Sequence, residues 1–350
     1  MYKIFIKAFA DKESQKDLII SDNVESMIPL INPIKKSGIF HKVFTYHYDS
    51  EDHIHSMQVK RGNNLFTTTI FFLKRYIQAS IHQQDLAEDP QLRQINFMQY
   101  DEIFTSDFDV SRINGYLAVH QIPYTLMEHA KYVFNNQNIG LLYNCLTYIS
   151  TFLDRLGFIT GIRIATKFCE YVEVHENKNL GKCLRLKRIK EWNIDAYLKR
   201  LTKEDKHQIF CIYAEAYRIK LNMNNLYNLF LTNPLSKDYL VRTEKEQIEF
   251  YKKIVSQYLK SDIPLLIKPH PRDDADYKKY FEDTIIIPKE ISSEVLILET
   301  DLHIKKAITF YSTSVEIFSE IAQEVQCIEK SEIDARSSSI LKKFLQEVNE

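Results

Sequence analysis

The stretch Ile263-Pro264-Leu265-Leu266-Ile267-Lys268-Pro269-His270-Pro271-Arg272 decides the fold class of this sequence. Its apolar first half predicts a short buried strand. The prolines that follow fix φ, lack N–H donors and push the residues before them toward extended conformations, so the strand should continue into a stiff turn. Lys268, His270 and Arg272 then stand at the carboxyl end of a strand, where open α/β sheets bind ligands. This basic cluster suits an anion, most simply a phosphate.

A second feature of the same kind is Ser312-Thr313-Ser314, which follows an apolar run and precedes a predicted helix. Hydroxyls and unpaired backbone N–H groups at a helix N-terminus bind phosphate, helped by the helix dipole. Each feature has a structural alternative, namely a loop histidine shaped by its prolines and an ordinary helix cap. Together, the Pro-His-Pro turn (residues 269–271) and the three hydroxyl residues predict contacts with one phosphate.

Strand-like and helix-like segments alternate in both halves of the chain. Strands are predicted at residues 16–22, 41–46, 101–106, 124–127, 226–231, 263–267, 284–287 and 308–311. Helices are predicted at residues 24–37, 244–259 and 315–324 and within 191–206. The pattern predicts an α/β protein of two Rossmann-like domains with parallel strands and a cleft between them. We place an N-terminal domain with a bridging region at residues 1–190 and a C-terminal domain at residues 191–350.

Composition narrows the function classes. The 350 residues are 45% hydrophobic and 27% charged, as in soluble globular proteins, and a net charge of -1 does not favour a nucleic-acid binder. No GxGxxG or GxxxxGK[ST] motif is present among only seven glycines, so a glycine-rich phosphate cradle is not supported. Five widely spaced cysteines predict reduced thiols in a cytoplasmic setting. No signal peptide and no apolar run of about 20 residues is evident, so we expect no membrane span.

Two acidic positions are candidates for roles in a cleft. Glu294 enters an apolar run and could accept hydrogen bonds from ribose hydroxyls, although a solvated loop glutamate explains its position equally. Glu128 and His129 follow a predicted strand, and a carboxylate or imidazole there can act as a general base. Successive residues of an extended chain point in opposite directions, so one of the two would face a substrate. An acidic first turn of a helix is the alternative for this pair.

Other catalytic patterns are not evident in the sequence. His53 and His55 lie two residues apart but lack a third ligand, so we interpret them as loop residues and predict no metal site. There is no GxSxG motif that would indicate a hydrolase serine. The chemistry therefore centres on anion binding in the second half and on an acid or base in the first.

The order of four motifs resembles that of glycosyltransferase family 52, the bacterial lipooligosaccharide sialyltransferase-like enzymes. The motifs are Asn233-Pro234-Leu235-Ser236, then residues 267–272, then Ser293-Glu294-Val295-Leu296, then residues 309–314. The resemblance is good over residues 224–325 and weaker over 90–220. It implies a GT-B fold, in which two Rossmann-like domains face a central cleft and the C-terminal domain holds most of the nucleotide sugar. The N-terminal domain is then the acceptor side.

The resemblance also implies a reaction: inverting, metal-independent transfer of sialic acid from CMP-sialic acid to a surface glycan of capsule or lipooligosaccharide, with no cofactor. It implies that His270 and the hydroxyls of Ser312, Thr313 and Ser314 contact the donor phosphate, beside Lys268 and Arg272. Glu294 would hold the ribose, and the nucleotide pocket would be lined by Asn233, Pro234 and Ser236. Related enzymes carry an acidic pair and a glycine where this chain has Glu128-His129-Ala130, so the base stays open between Glu128 and His129.

Two rival hypotheses remain at this point. A GT-B transferase could use another donor, such as a UDP-sugar or a CDP-polyol. The altered Glu128-His129-Ala130 motif is also compatible with a catalytically silent GT-B binding module. For a transferase, the partners are a nucleotide sugar and a glycan acceptor, in the cytoplasm; peripheral contact with the inner face of the membrane and a homodimer are both left open.

Overall fold

The computed structural model describes residues 1–22, 25–47, 87–105, 112–128, 168–174, 188–238, 240–259, 262–310 and 312–328. The chain divides into two compact units. One, which we call the C-terminal unit, comprises Met1–Ile20, Val24–Phe44 and Lys199–Glu350. The other, the middle unit, comprises Ser21–Asn23 and Thr45–Leu198.

The chain begins with short elements. They are a helix (Tyr2–Ala10), strand β1 (Asp17–Ser21), a 3₁₀ helix (Glu25–Leu30), a helix (Ile31–Ser37) and strand β2 (Lys42–Tyr46). β1 and β2 form a two-stranded sheet. The predicted helix at 24–37 is therefore two helices, since the segment that contains Pro29 is 3₁₀. The second helix ends at Gly38, whose φ of 70° is the left-handed conformation that glycine adopts without strain.

The first helix packs on the helix Lys203–Tyr217 of the same unit. The rings of Phe5 and Tyr213 meet edge to face, with their centroids 5.7 Å apart, and both side chains are buried. Lys12 adds an ion pair with Asp205 at 2.8 Å. The first residues of the chain therefore contribute to the core of the C-terminal unit.

The described part of the middle unit contains a four-stranded parallel sheet. Its strands are β3 (Phe104–Thr105), β4 (Tyr124–Met127), β5 (Cys169–Val174) and β6 (Arg188–Glu191), in the order β3-β4-β5-β6. The described helices are Arg112–Val119, Ile194–Leu198 and two 3₁₀ turns, Leu92–Gln94 and Phe97–Gln99. Every residue of β4 is buried, as expected of a central parallel strand.

The C-terminal unit contains a five-stranded parallel sheet. Its strands are β7 (Leu226–Leu231), β8 (Leu265–Lys268), β9 (Ile285–Ile286), β10 (His303–Phe310) and β11 (Ala322–Ile328), in the order β11-β10-β7-β8-β9. The helix Glu244–Tyr258 packs on this sheet. The rings of Tyr251 and Phe230 meet edge to face, with their centroids 4.9 Å apart. The shorter helices are Tyr277–Tyr280, Ser293–Leu296 and the 3₁₀ helix Thr313–Glu320.

The α/β class and the parallel sheets expected of a GT-B protein are confirmed, and two further local predictions are wrong. The helix predicted at 315–324 is 3₁₀ and ends at Glu320, because the residues from Ala322 pair with β10. The strand predicted at 308–311 is therefore not the last. The helices predicted within 191–206 are confirmed, since strand β6 ends at Glu191, the helix Ile194–Leu198 follows and the helix Lys203–Tyr217 begins in this range. Among the described residues, no helix is long and apolar enough to cross a membrane.

Candidate active site

Three segments of the C-terminal unit leave its sheet side by side. Leu231, the last residue of β7, pairs with Lys268 of β8 on one side and with Thr309 of β10 on the other. Since parallel neighbours end at the same edge, the segments that follow them lie together. The Asn233 side chain donates from Nδ2 to the backbone oxygen of Phe310. Three segments therefore meet at the carboxyl edge of one sheet: residues 233–236 (the Asn233 loop), the Pro-His-Pro turn and the start of residues 312–314 (the serine-rich segment).

The hydrogen bonds of His270 determine which form of its side chain can meet a ligand. Nδ1 accepts the backbone N–H of Arg272 at 3.1 Å, so the proton of the neutral ring is on Nε2. The backbone N–H of His270 donates to Thr232 Oγ1 at 3.2 Å. Burial, Arg272 and Lys268 hold the pKa of His270 below its usual value. His270 is therefore a half-buried neutral donor, and no other described residue accepts a hydrogen bond from Nε2.

Lys268 lies beneath the turn and not on its surface. Its side chain is 2% exposed, and Nζ donates to the backbone oxygens of Pro269 at 2.5 Å and Lys289 at 3.4 Å. Burial lowers the pKa of Lys268 to about 8, against the opposing effect of Glu290 and Glu294. The sequence predicted Lys268 as a cation beside the ligand. In the structure its side chain is buried and holds the backbone of the turn through these hydrogen bonds.

Arg272 is exposed and paired with another side chain. Its guanidinium makes a bidentate contact with the Asp238 carboxylate, at 2.9 and 3.2 Å. Such planar pairing fixes the orientation of the arginine. The contact connects the Pro-His-Pro turn to the chain just beyond Ser236. The Arg272 guanidinium, which the sequence placed at a phosphate, is thus paired with a carboxylate in this structure.

The Asn233 loop is held from its backbone. Tyr251 Oη accepts the N–H of Asn233 at 2.9 Å and donates to the oxygen of the same residue at 2.6 Å. Pro234 is buried, and the N–H of Ser236 donates to Gln247 Oε1 at 2.8 Å. Both anchors come from one helix, Glu244–Tyr258, so this helix positions the loop over its whole length.

A buried polar cluster that the sequence did not reveal lies under the turn. The Asp273 carboxylate is 3% exposed and accepts hydrogen bonds from Thr232 Oγ1 at 3.0 Å, Tyr277 Oη at 2.6 Å and Gln247 Nε2 at 3.1 Å. The backbone N–H of Asp273 donates to the oxygen of His270 at 2.8 Å. Two features of the sequence could have indicated this cluster. Asp273 directly follows Arg272, and Gln247 lies on an otherwise apolar face of the helix Glu244–Tyr258.

The serine-rich segment is described in part. Ser312 is half-buried and follows β10 at the carboxyl edge of the sheet. The backbone of Thr313 and Ser314 begins the 3₁₀ helix Thr313–Glu320, and their side chains lie outside the described part of the structure, as does Tyr311. The predicted phosphate contacts of Ser312, Thr313 and Ser314 remain predictions.

Glu294 lies near Lys268 in the C-terminal unit. It is exposed in the first turn of the helix Ser293–Leu296. Its charge raises the pKa of Lys268 and, as a minor effect, that of the buried Tyr213. An exposed carboxylate near this edge of the sheet is compatible with the predicted ribose contact.

Glu128 belongs to the middle unit, where it directly follows β4. Its backbone N–H donates to the oxygen of Glu173 in β5 at 2.9 Å, and its side chain is 4% exposed. It therefore lies at the carboxyl edge of the second parallel sheet. His129, the other candidate base, lies outside the described residues. In the ranges that the structure covers, no three His, Cys, Asp or Glu side chains are grouped so as to hold a metal ion.

Comparison with solved structures finds low-level similarity. The α/β-galactoside α-2,3-sialyltransferase of Photobacterium phosphoreum is 11% identical with a TM-score of 0.42, covering 97% of this chain and 96% of that one. The UDP-GlcNAc 2-epimerase of Methanocaldococcus jannaschii, solved with UDP-GlcNAc and UDP, is 14% identical with a TM-score of 0.37, covering 96% and 92%. Similarity at this level assigns no substrate.

Sequence comparison is more specific. A Haemophilus influenzae strain Rd protein of uncharacterised function is 35% identical over 141 residues, which are 40% of this chain and 44% of that relative. The chain thus matches less than half of the relative's length. The model of glycosyltransferase family 52 matches residues 129–329, more than half of the 350 residues, and this range includes the Asn233 loop, the Pro-His-Pro turn and the serine-rich segment. The chain belongs to glycosyltransferase family 52.

Proposed function

We propose that this protein is an inverting, metal-independent sialyltransferase that takes sialic acid from CMP-sialic acid. The observation that carries the proposal is the meeting of three segments at the carboxyl edge of one parallel sheet, with a neutral Nε2–H of His270 available there. A phosphate held by neutral hydrogen-bond donors and backbone N–H groups needs no bound cation.

The chemistry of a CMP leaving group fits this set of donors. CMP has a single phosphate, and its charge grows as the bond to the sugar breaks. The Nε2–H of His270 and the N–H groups at the start of the helix Thr313–Glu320 would donate to that phosphate. In a direct displacement the acceptor hydroxyl loses its proton to a base, for which Glu128 or His129 of the middle unit is proposed.

The acceptor and the cellular setting are part of the same proposal. We infer a surface glycan of capsule or lipooligosaccharide as acceptor, and synthesis in the cytoplasm with peripheral contact at the inner face of the membrane. The proposed donor site is lined by Asn233, Pro234, Ser236 and Glu294 for the nucleoside. A UDP-sugar or a CDP-polyol is the alternative donor, because the same edge of the sheet could take a second phosphate.

Thermal unfolding in the presence of nucleotides tests the donor. A ligand that binds only the folded state raises its stability by mass action, by about 2.7 kcal/mol at a hundredfold excess over Kd. We expect CMP to raise the Tm of the wild type, and UDP and CDP to raise it less. Stabilisation by UDP without stabilisation by CMP would reject the sialyltransferase. Transfer from CMP-sialic acid by the same preparation distinguishes an enzyme from a silent binding module.

A further inference from the structure

The helix Lys203–Tyr217 carries a thiol and an imidazole that touch. Cys211 follows His207 by four residues, which places both side chains on one face of the helix. Cys211 Sγ lies 3.3 Å from His207 Nε2. Both residues are exposed, so a small molecule in solution can reach the pair.

A buried carboxylate fixes the imidazole from its other side. Glu299 Oε2 lies 2.5 Å from His207 Nδ1, and the Glu299 side chain is 1% exposed, whereas that of His207 is 55% exposed. The second oxygen of Glu299 accepts the backbone N–H of Asp301 at 3.1 Å, so the carboxylate is held in place. With its Nδ1 proton donated to Glu299, the neutral imidazole presents the lone pair of Nε2 to the thiol.

The order thiol, imidazole, carboxylate is that of an activated nucleophile. We propose that Cys211, His207 and Glu299 form a reactive-thiol site that takes a low-molecular-weight disulfide and becomes a mixed disulfide with it. His207 Nε2 takes the proton of Cys211, and the sulfur attacks one sulfur of the disulfide. A new S–S bond forms as the old one breaks, and the departing thiolate receives the proton from the imidazolium. Cys211 is oxidised and half of the small disulfide is reduced.

The environment of Cys211 makes the base necessary. Partial burial of the sulfur and the nearby Glu299 carboxylate raise the pKa of the thiol, although the residue as a whole is exposed, so that the thiol is uncharged at neutral pH. An uncharged thiol reacts slowly with disulfides because the thiolate is the nucleophile. Proton removal by His207 therefore decides the rate, and Glu299 stabilises the imidazolium that results.

This cluster lies at the opposite end of β10 from Ser312. Glu299 lies just before β10 begins at His303, and Ser312 follows the other end of that strand at Phe310. A strand rises about 3.3 Å per residue, so the two ends of β10 are about 23 Å apart. The reaction of Cys211 with a disulfide does not involve the sugar donor.

The test measures how fast an aromatic disulfide, 5,5′-dithiobis(2-nitrobenzoate), modifies the folded protein, with the labelled cysteine identified by peptide mass spectrometry. We expect a fast phase that maps to Cys211, is lost in Cys211→Ser and slows by about tenfold or more in His207→Gln. A wild-type rate in His207→Gln, or a fast phase that persists in Cys211→Ser, would overturn the proposal.

Lys203→Ala provides a matched control on the same helix. Lys203 pairs with Asp301 at 2.7 Å, next to the cluster, and His303 also lies near Asp301. Removing this lysine changes the local charge but keeps all three residues of the site. We expect Lys203→Ala to retain the wild-type fast phase, and a loss equal to that in His207→Gln would show that charge alone sets the rate. Unchanged Tm values confirm that each variant is folded.

Discussion

The Gln247 side chain donates from Nε2 to both carboxylate oxygens of Asp273, at 3.1 Å each, in the interior of the C-terminal unit. Gln247 Oε1 accepts the N–H of Ser236, and Asp273 is bonded through its backbone to His270. One buried pair thus connects the two segments that the proposal places on either side of the nucleotide.

Asp273→Asn is expected to weaken both stability and nucleotide binding. An amide nitrogen cannot accept the hydrogen bonds of Tyr277 and Thr232, and an unsatisfied buried group lowers the free energy of unfolding by about 1–3 kcal/mol. Urea denaturation and nucleotide titration measure the two effects. Asp274→Asn is the matched control, because Asp274 is exposed and its ion pairs among the described residues are with Lys237 and Lys289. Equal destabilisation by both variants would contradict the role of Asp273.

His270→Ala is expected to reduce nucleotide affinity about tenfold with the fold intact, since a net hydrogen bond contributes about 1 kcal/mol and more when it meets a charged group. Isothermal titration with CMP measures the change. His303→Ala, in an exposed position at the start of β10, should bind CMP as the wild type does. Wild-type affinity in His270→Ala would remove the histidine from the site.

The lowered pKa of His270 predicts a pH dependence of stability. The folded protein holds the ring neutral more firmly than the unfolded chain does, so the unfolded state binds more protons between the two pKa values. The contribution of His270 is therefore complete above about pH 6.5, the unfolded value, and is lost as pH falls through the lower folded value. The difference in the free energy of unfolding between wild type and His270→Gln, measured across this range, should shrink toward acid pH.

The lowered pKa of Lys268 predicts that stability also depends on pH in the alkaline range. Its pKa is lowered to about 8 in the folded protein, so between that value and its ordinary value of 10.5 the unfolded chain binds more protons and stability rises with pH. Relative to Lys268→Met, the free energy of unfolding of the wild type should rise by on the order of 3 kcal/mol between neutral pH and about pH 10. If the free energies of unfolding of the two proteins changed in parallel with pH, the lowered pKa of Lys268 in the folded protein would be contradicted.

Glu128→Gln tests the proposed base. Removing a general base lowers turnover by about 10²- to 10⁴-fold, and a base on the acceptor side should leave CMP binding unchanged. His129→Gln is the paired variant, since the sequence leaves both residues open. Turnover assays with CMP-sialic acid decide between them: normal activity in Glu128→Gln together with a large loss in His129→Gln would move the base to the histidine.

Local sequence patterns predicted most strands and the helix Glu244–Tyr258 because these elements repeat apolar residues at their own period. Two of the edge strands, β6 and β11, were not predicted. Arg188–Glu191 in β6 carries mostly exposed, charged residues, and Ala322–Ile328 in β11 is half-buried, so neither shows a strong apolar pattern. Their pairing with the preceding strand defines them, and the paired residues lie 17 or 18 positions apart, beyond the reach of a local pattern.

The candidate site was likewise predictable only in part. Its location followed from the turn at the end of one strand, since the edge of a parallel sheet is a general binding position. The partners of the basic residues did not follow, because Asp238 lies 34 residues before Arg272, and Lys289 lies 21 residues after Lys268. The amino-acid sequence shows which charged residues are neighbours along the chain, but only the fold shows which of them form ion pairs or hydrogen bonds with each other.

The contact between Phe5 and Tyr213 has a consequence for biosynthesis. The helix that carries Phe5 leaves the ribosome about 200 residues before Tyr213, so this contact can form only after the middle unit has been synthesised. A fragment that starts at Lys199 would lack this cover and expose an apolar helix face to water. The unit with the candidate donor site can therefore complete its core only when the first helix and the helix Lys203–Tyr217 have both been made.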